Sequence, residues 1–193
     1  MGFTSRLWHA LAKLVDPASW RFRDRSLRAP SLVRAGDLAF EAGRTRECLA
    51  FYGRAIDAYL EAGLRRKAEA ICRRVIKIEP GVIRTRYTLA VIAVGRNDAV
   101  QASRRIEDYM GAVVRSHAER LAVPSLVEMA SATANRDIRG MVAAALDEAG
   151  RPDLAEAVVR GTAAPAVATS WTRAVSAALK RPSDVDLAAL TAT

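Results

Sequence analysis

Residues 61–80, EAGLRRKAEAICRRVIKIEP, contain a glycine turn near their start and end at a proline. Between these limits, apolar residues recur at intervals of three and four, which is the spacing of one face of an α-helix. The apolar row consists of Leu64, Ala68, Ile71, Cys72, Val75 and Ile76. Six cations occupy other positions of the same stretch. The pattern therefore predicts an amphipathic helix with one buried and one solvated side.

The same helical pattern continues on both sides of this stretch. Glycine, proline or a capping residue separates apolar-periodic segments that are joined by short connections, which is typical of antiparallel helices in sequence. The predicted helices cover 31–42, 45–62, 65–79, 82–94, 98–114, 117–133, 136–149 and 153–160. No segment alternates for long enough to predict a strand, so the predicted fold class is all-α.

The two ends of the chain differ from this central helical domain, which covers 31–160. Residues 1–30 combine an amphipathic helix over 4–15, centred on Trp8, with a basic stretch over 16–30 that we expect to be irregular. This first helix either caps the domain, lies in a membrane interface or binds a partner. Residues 161–193 form a small-residue linker, a short amphipathic helix over 170–180 and a tail that we expect to be mobile.

Two neighbouring helices carry a more specific pattern. The first contains Tyr52, Ala55–Ile56 and Tyr59, and the second contains Ala68, Cys72, Val75 and the closing Pro80. The pattern returns 34 residues later as Leu89–Ala90 and Ala93, then Ala102, Ile106 and Tyr109. Over 31–114 the chain resembles the tetratricopeptide-repeat (TPR) family, whose helix pairs stack into a solenoid. A further match is formed by Leu32, Ala35–Gly36, Ala39, Cys48, Tyr52 and Ala55. Helix 45–62 is therefore either the second helix of one unit or the first helix of another.

The resemblance implies a groove lined by the first helix of each unit. The positions that would face it are Gly53, Asp57, Leu60, Arg84, Tyr87 and Val91. One subgroup of the family clamps a terminal carboxylate with Lys and Asn on these helices. The corresponding positions here hold Gly53, Asp57, Tyr87 and Val91, so that clamp is missing.

The net charge of +9 is unevenly distributed along the chain. Residues 1–30 carry +4 and residues 63–115 carry +7, whereas 31–62 and 116–193 carry −1 each. Such asymmetry favours anionic partners, although a basic solvated face explains it equally. The interleaving of Arg with Trp20 and Phe22 fits either a linker with aromatic anchors or a surface that stacks on bases.

Few residues are suited to catalysis. His9 and His117 lie apart, Cys48 and Cys72 fall on apolar helix faces, and the chain contains no HExxH, no phosphate loop and no paired cysteine motif. We therefore expect no enzyme activity, no cofactor and no metal site. The chain has no run of about 18 apolar residues and no secretory pattern, so we expect a cytoplasmic location, either free or peripheral to a membrane or larger assembly.

The leading hypothesis is a bacterial-type adaptor or scaffold whose repeat-like groove binds another protein. The predicted contact residues are Trp8, Leu60 and Tyr87 as anchors, with Arg73, Arg74, Arg84 and Arg86 steering an acidic partner. The alternative hypothesis is a basic surface that binds nucleic acid or acidic membrane. Its candidate residues are Arg21, Arg23, Arg25 and Arg28.

Overall fold

The computed structural model describes the backbone of residues 17–163 and the side chains of 28–119 and 122–163. Within these limits the chain forms eight α-helices and no β-strand, which confirms the all-α fold class. The helices are α1 (Pro17–Glu41), α2 (Thr45–Glu61), α3 (Arg65–Ile78), α4 (Ile83–Gly95), α5 (Ala99–Arg115), α6 (Glu119–Ser131), α7 (Arg136–Glu148) and α8 (Pro152–Arg160). The predicted helices over 4–15 and 170–180, and with them Trp8, lie outside the described residues.

The helix boundaries follow from local chemistry. Gly43 and Gly63 end α1 and α2 with φ angles of 72° and 76°, a region that favours glycine. The Asp98 side chain accepts from the Gln101 backbone N–H at 3.0 Å and caps α5. Asn135 caps α7 by accepting from two backbone N–H groups. The predicted helix starts near these two caps are therefore confirmed.

Helix α1 corrects the prediction for its segment. The irregular stretch expected over 16–30 is wrong over 17–30, because one helix continues through Pro30 to Glu41. Pro17 occupies the first helical position, where its missing N–H has no helical partner to lose. Pro30 removes one helical hydrogen bond, but the helix continues past it. A proline within a helical segment is therefore not a reliable sign that the helix begins or ends there. Ala29, beside Pro30, is fully buried in the core.

Consecutive helices pack against each other and are joined by three or four residues, so they run antiparallel. Contacts also join helices that are two apart in sequence. Helix α5 contacts α7, α6 contacts α8, and α4 contacts α6. At the other end, ion pairs join α1 to α3 and α2 to α4. Each such contact places two parallel helices side by side.

One continuous hydrophobic core extends from Ala29 in α1 to Val158 in α8. The predicted inward row of α2 is confirmed, since Tyr52, Ala55, Ile56 and Tyr59 are all buried. In the stretch 61–80, the predicted row is buried at Ala68, Ile71, Cys72 and Val75, with Leu64 and Ile76 half-buried at its edges. Helix α4 differs from its neighbours because it is buried on every side from Tyr87 to Val94. It is the central element of the fold.

Candidate binding surface

The predicted partner-steering arginines of α3 contact acidic residues of this chain. Arg73 pairs with Glu69 at 2.7 Å, one helical turn away. Arg74 donates to the Asp37 carboxylate of α1, and its guanidinium lies 4.9 Å from the centre of the Tyr52 ring. Both cations are on the exposed side of α3, as the sequence predicts. Arg74 therefore joins α3 to α1, whereas Arg73 pairs within α3, and the part of both residues in binding a partner stays a prediction.

The two arginines of α4 are likewise held by acceptors on the protein itself. Arg84 donates from Nη2 to both Asp57 oxygens, at 2.6 and 2.7 Å. Arg86 donates to the Pro80 carbonyl from Nε at 3.2 Å and from Nη2 at 2.9 Å, which satisfies a polar group in the α3–α4 turn. The Asp57 carboxylate compensates the charge of Arg84, whereas the neutral Pro80 carbonyl leaves the charge of Arg86 in place.

The anchors Leu60 and Tyr87 are not surface residues, which corrects the expectation that a partner contacts them. Leu60 is 2% exposed and Tyr87 is fully buried. The Tyr87 ring packs edge-to-face on Tyr109 at 5.7 Å, and its hydroxyl donates to Glu128 of α6 at 3.3 Å. Val91 is also fully buried. The groove predicted along α2 and α4 is therefore filled by the core at these positions.

A polar cluster of one buried tyrosine and two partly exposed charged residues connects α1, α2 and α3. The Tyr52 hydroxyl donates to Asp37 at 2.6 Å, and Asp37 also accepts from Arg74. Burial, followed by the hydrogen bond to Asp37, raises the pKa of Tyr52 well above its ordinary value. The hydroxyl therefore stays protonated and keeps donating. The cluster fixes the position of Tyr52 against α1 and holds no group poised for chemistry.

The anion-binding candidates are only partly described. Arg28 is exposed. For Arg21, Arg23 and Arg25 the structure describes the backbone alone, as part of α1. Helical spacing places positions 21, 25 and 28 along one side of α1 and position 23 away from them.

An open groove that the sequence did not reveal lies between α5 and α7. Its volume is about 200 Å³, and its residues are Ser103, Ile106, Glu107, Met110, Met141, Ala144, Ala145 and Glu148. We call it the α5–α7 groove. The floor is apolar, and the two methionines are half-buried. Two exposed carboxylates, Glu107 and Glu148, stand at the rim, and no cation is among the lining residues.

The geometry of the rim leaves its charge largely uncompensated. Glu107 accepts a hydrogen bond from the Ser103 hydroxyl at 2.8 Å. Within the described part of the chain, neither Glu107 nor Glu148 is in an ion pair. An apolar floor with an acidic rim suits a ligand with apolar side chains and positive charge. The sequence signal was that Met110 and Met141 each widen the apolar stripe of their helix by one position.

The two cysteines and His117 are not expected from the sequence to take part in catalysis or metal binding. Cys48 and Cys72 are buried free thiols. Burial raises the pKa of both thiols, and that of Cys72 reaches about 12. His117 is exposed, in the turn before α6. Among the side chains of 28–119 and 122–163, no three or more of His, Cys, Asp or Glu are arranged to hold a metal ion.

Among the helices of residues 17–163, none combines the length and the apolar character needed to cross a bilayer.

The comparisons with known proteins found no matching family model, no matching curated protein and no matching solved structure.

Proposed function

We propose that this protein is a non-enzymatic scaffold of TPR-like helical repeats that binds another protein through the α5–α7 groove. The observation that carries the proposal is the groove itself, an apolar floor open to solvent with an acidic rim. Exposed apolar surface with a polar border is characteristic of a protein interaction site.

Repeated burial along the chain supports the repeat architecture. Helices α2, α3, α5 and α7 each bury a triplet of residues with a spacing of four and then three, and α4 and α6 bury triplets with the same spacing. The first four triplets are Cys48, Tyr52 and Ala55 in α2; Ala68, Cys72 and Val75 in α3; Ala102, Ile106 and Tyr109 in α5; and Ile138, Val142 and Ala145 in α7. This spacing matches the second helix of the family that the sequence resembles, and it extends beyond residue 114 into α7. Because α4 and α6 share it, it supports a recurring helical unit and does not distinguish first from second helices.

Contacts between equivalent turns support stacked units as well. Asn97 lies in the α4–α5 turn, and Asn135 lies in the α6–α7 turn. Asn135 donates from Nδ2 to the Asn97 side-chain oxygen at 2.8 Å. Glu69 of α3 pairs with Arg96, which follows α4, at 2.7 Å. The asparagine contact joins one helix pair to the next, and the Glu69–Arg96 pair joins α3 to the α4–α5 turn; contacts between neighbouring units of this kind stabilise repeat arrays.

The packing of Gly36 supports one of the two phases left open for residues 31–62. A methyl group on Gly36 of α1 would lie 2.5 Å from Cε1 of Tyr52 in α2. Only glycine permits this close approach, and the corresponding glycine of the resembled family stands at the same place in its first helix. We therefore pair α1 with α2 as one unit, α4 with α5 and α6 with α7, with α3 between the first two pairs.

The partner that fits the groove is an amphipathic helix with basic flanks. Its apolar side chains would pack on Ile106, Met110 and Met141, while cations approach Glu107 and Glu148. Methionine side chains adapt to differently shaped ligands, which suits a binding surface. This differs from the acidic partner expected from the sequence, because three of the four arginines behind that expectation, Arg73, Arg74 and Arg84, form ion pairs within the protein.

Affinity capture from native lysate tests the proposal. The tagged protein is compared with Ala144→Glu, which adds charge to the groove, and with Ala70→Glu, a matched change at an exposed position of α3. We expect one or two proteins to be captured in stoichiometric amounts by the parent and by Ala70→Glu, and to be lost with Ala144→Glu. Nuclease treatment should change nothing. Equal capture by all three proteins would exclude the groove.

A second candidate function, binding to an anionic surface, is favoured by one observation. The continuous helix α1 brings positions 21, 25 and 28 to one side, which the expected irregular segment would not do. Binding of a fluorescent single-stranded oligonucleotide should then weaken steeply between about 50 and 200 mM salt. The triple change Arg21→Gln, Arg25→Gln and Arg28→Gln should flatten that dependence. A flat response in the parent protein would exclude this candidate.

A further inference from the structure

The α5–α7 groove has chemistry that a segment of the same chain matches. Residues 164–183 contain three cations, Arg173, Lys180 and Arg181, and no acidic residue. Within them, Trp171, Val175 and Leu179 recur every four residues, which predicts one apolar helical face. The apolar row of the segment is therefore complementary to the apolar floor of the groove, and its cations are complementary to the acidic rim.

The connection is long enough for this segment to reach the groove. The described chain ends at Ala163, which lies beside Arg139 of α7 and Ser131 of α6. Residues 164–169 span at most about 20 Å when extended, twice the diameter of a helix. A helix over 170–181 would be about 18 Å long, close to the length of the 13-residue α7.

The other amphipathic segment is less well placed. Residues 4–15 precede α1. Helix α1 packs on α2 and is joined to α3 by the ion pair between Asp37 and Arg74. Helices α5 and α7 lie towards the other end of the helix order, whereas Ala163 lines a small pocket together with Arg139 of α7. Proximity therefore favours the later segment.

We propose that residues 170–181 dock as a helix in the α5–α7 groove of their own molecule, with Trp171, Val175 and Leu179 on Met110 and Met141 and with the cations beside Glu107 and Glu148. The inference uses the groove of the proposed function, and an external partner would have to displace the segment. A short linker gives an effective concentration in the millimolar range, so even weak intrinsic affinity suffices for docking.

Thiol labelling in the full chain tests the docking. Ala144→Cys places a thiol at an exposed position of the groove, and Ala70→Cys places a matched thiol on α3. The native Cys48 and Cys72 are buried and have raised pKa values, so they contribute little background. Each variant is labelled with a maleimide, with and without the changes Trp171→Glu and Leu179→Glu, two positions that lie outside the described residues.

We expect the Trp171→Glu and Leu179→Glu changes to accelerate labelling at position 144 about tenfold, the ratio for a groove covered nine-tenths of the time. Labelling at position 70 should be unaffected, and the protection should be independent of protein concentration. Equal rates at position 144 would overturn the inference. Protection that disappears on dilution would mean that a second copy of the chain covers the groove. Protection removed by Trp8→Glu would mean that residues 4–15 cover it. Either outcome would also overturn the inference.

Failure here is separable from failure of the proposed function. If labelling at position 144 is indifferent to Trp171 while capture still depends on Ala144, then the groove binds an external partner and only the intramolecular docking is wrong.

Discussion

Tyr87 is either a contact residue for a binding partner or a core residue of the fold, and its burial distinguishes the two roles. Sequence pattern places it on the binding side of α4, whereas the structure buries it completely between Tyr109 and Glu128. An aromatic ring in such a position contributes to the stability of the fold and is closed to a partner.

Truncation of the Tyr87 side chain should therefore lower the stability of the protein. We expect Tyr87→Ala to lower the free energy of unfolding by about 3–5 kcal/mol, because a large cavity forms in the core. Tyr87→Phe keeps the ring and should lower it by only about 1 kcal/mol. Urea unfolding followed by circular dichroism measures both. A loss below about 1 kcal/mol in Tyr87→Ala would mean that the residue is not a core residue.

Sequence reasoning succeeds for burial along one helix and fails for partners far away in sequence. The inward rows of α2 and α3 follow from spacing alone, because helical geometry determines which residues share a face. The partners of Arg74 and Arg84 lie 37 and 27 residues away and depend on how helices stack. Spacing within one helix contains no information about that stacking.

At the scale of elements, the close approach of α1 and α2 depends on Gly36. The glycine is buried, and any Cβ there would meet the fully buried Tyr52 ring at 2.5 Å. Tyr52 in turn is held by its hydrogen bond to Asp37, so it has little freedom to move away.

Gly36→Ala should consequently destabilise the protein despite the better helix propensity of alanine. We expect a loss of about 1–3 kcal/mol from overpacking. Gly53→Ala is the matched control, since Gly53 lies in α2 and nothing stands within 4 Å of its missing Cβ. That change should stabilise the protein by roughly 0.5–1 kcal/mol. Stabilisation by both changes would contradict the packing of α1 on α2.

Helix α1 and the α5–α7 groove show where sequence reasoning stops at the scale of elements. Two prolines predicted boundaries at 17 and 30, but a proline at a first helical position is compatible with the helix and a proline inside it can be tolerated. The groove arises from two helices that are not consecutive, so neither helix alone indicates it.

At the scale of the whole molecule, one core joins all eight described helices and buries several groups that can lose a proton. Burial raises the pKa of Cys72 and of Tyr109 to about 12, from ordinary values of 9.0 and 10.0. Between these values the unfolded chain releases protons that the folded protein keeps. Stability is therefore fully present below about pH 9 and is lost as pH rises towards 12.

The free energy of unfolding should fall above pH 9 by up to about 1.4 kcal/mol per pH unit for each group. Urea unfolding at about pH 8 and about pH 10.5 measures this loss. Cys72→Ala is the control, because it removes the thiol contribution and should make the fall between pH 9 and 10 shallower. A stability that is constant over this range would contradict the burial of both groups.

The central claim is that the α5–α7 groove binds a basic amphipathic helix, and methionine methyl NMR tests it most directly. Of the four methionines, Met110 and Met141 line the groove, whereas Met129 is fully buried elsewhere in the core and serves as an internal reference. The labelled chain carries Trp171→Glu and Leu179→Glu, and the probe is a synthetic peptide of residues 168–183. We predict saturable shifts of the Met110 and Met141 methyl signals with Met129 unchanged. Unshifted groove signals at saturating peptide, or an equal shift of Met129, would contradict the account.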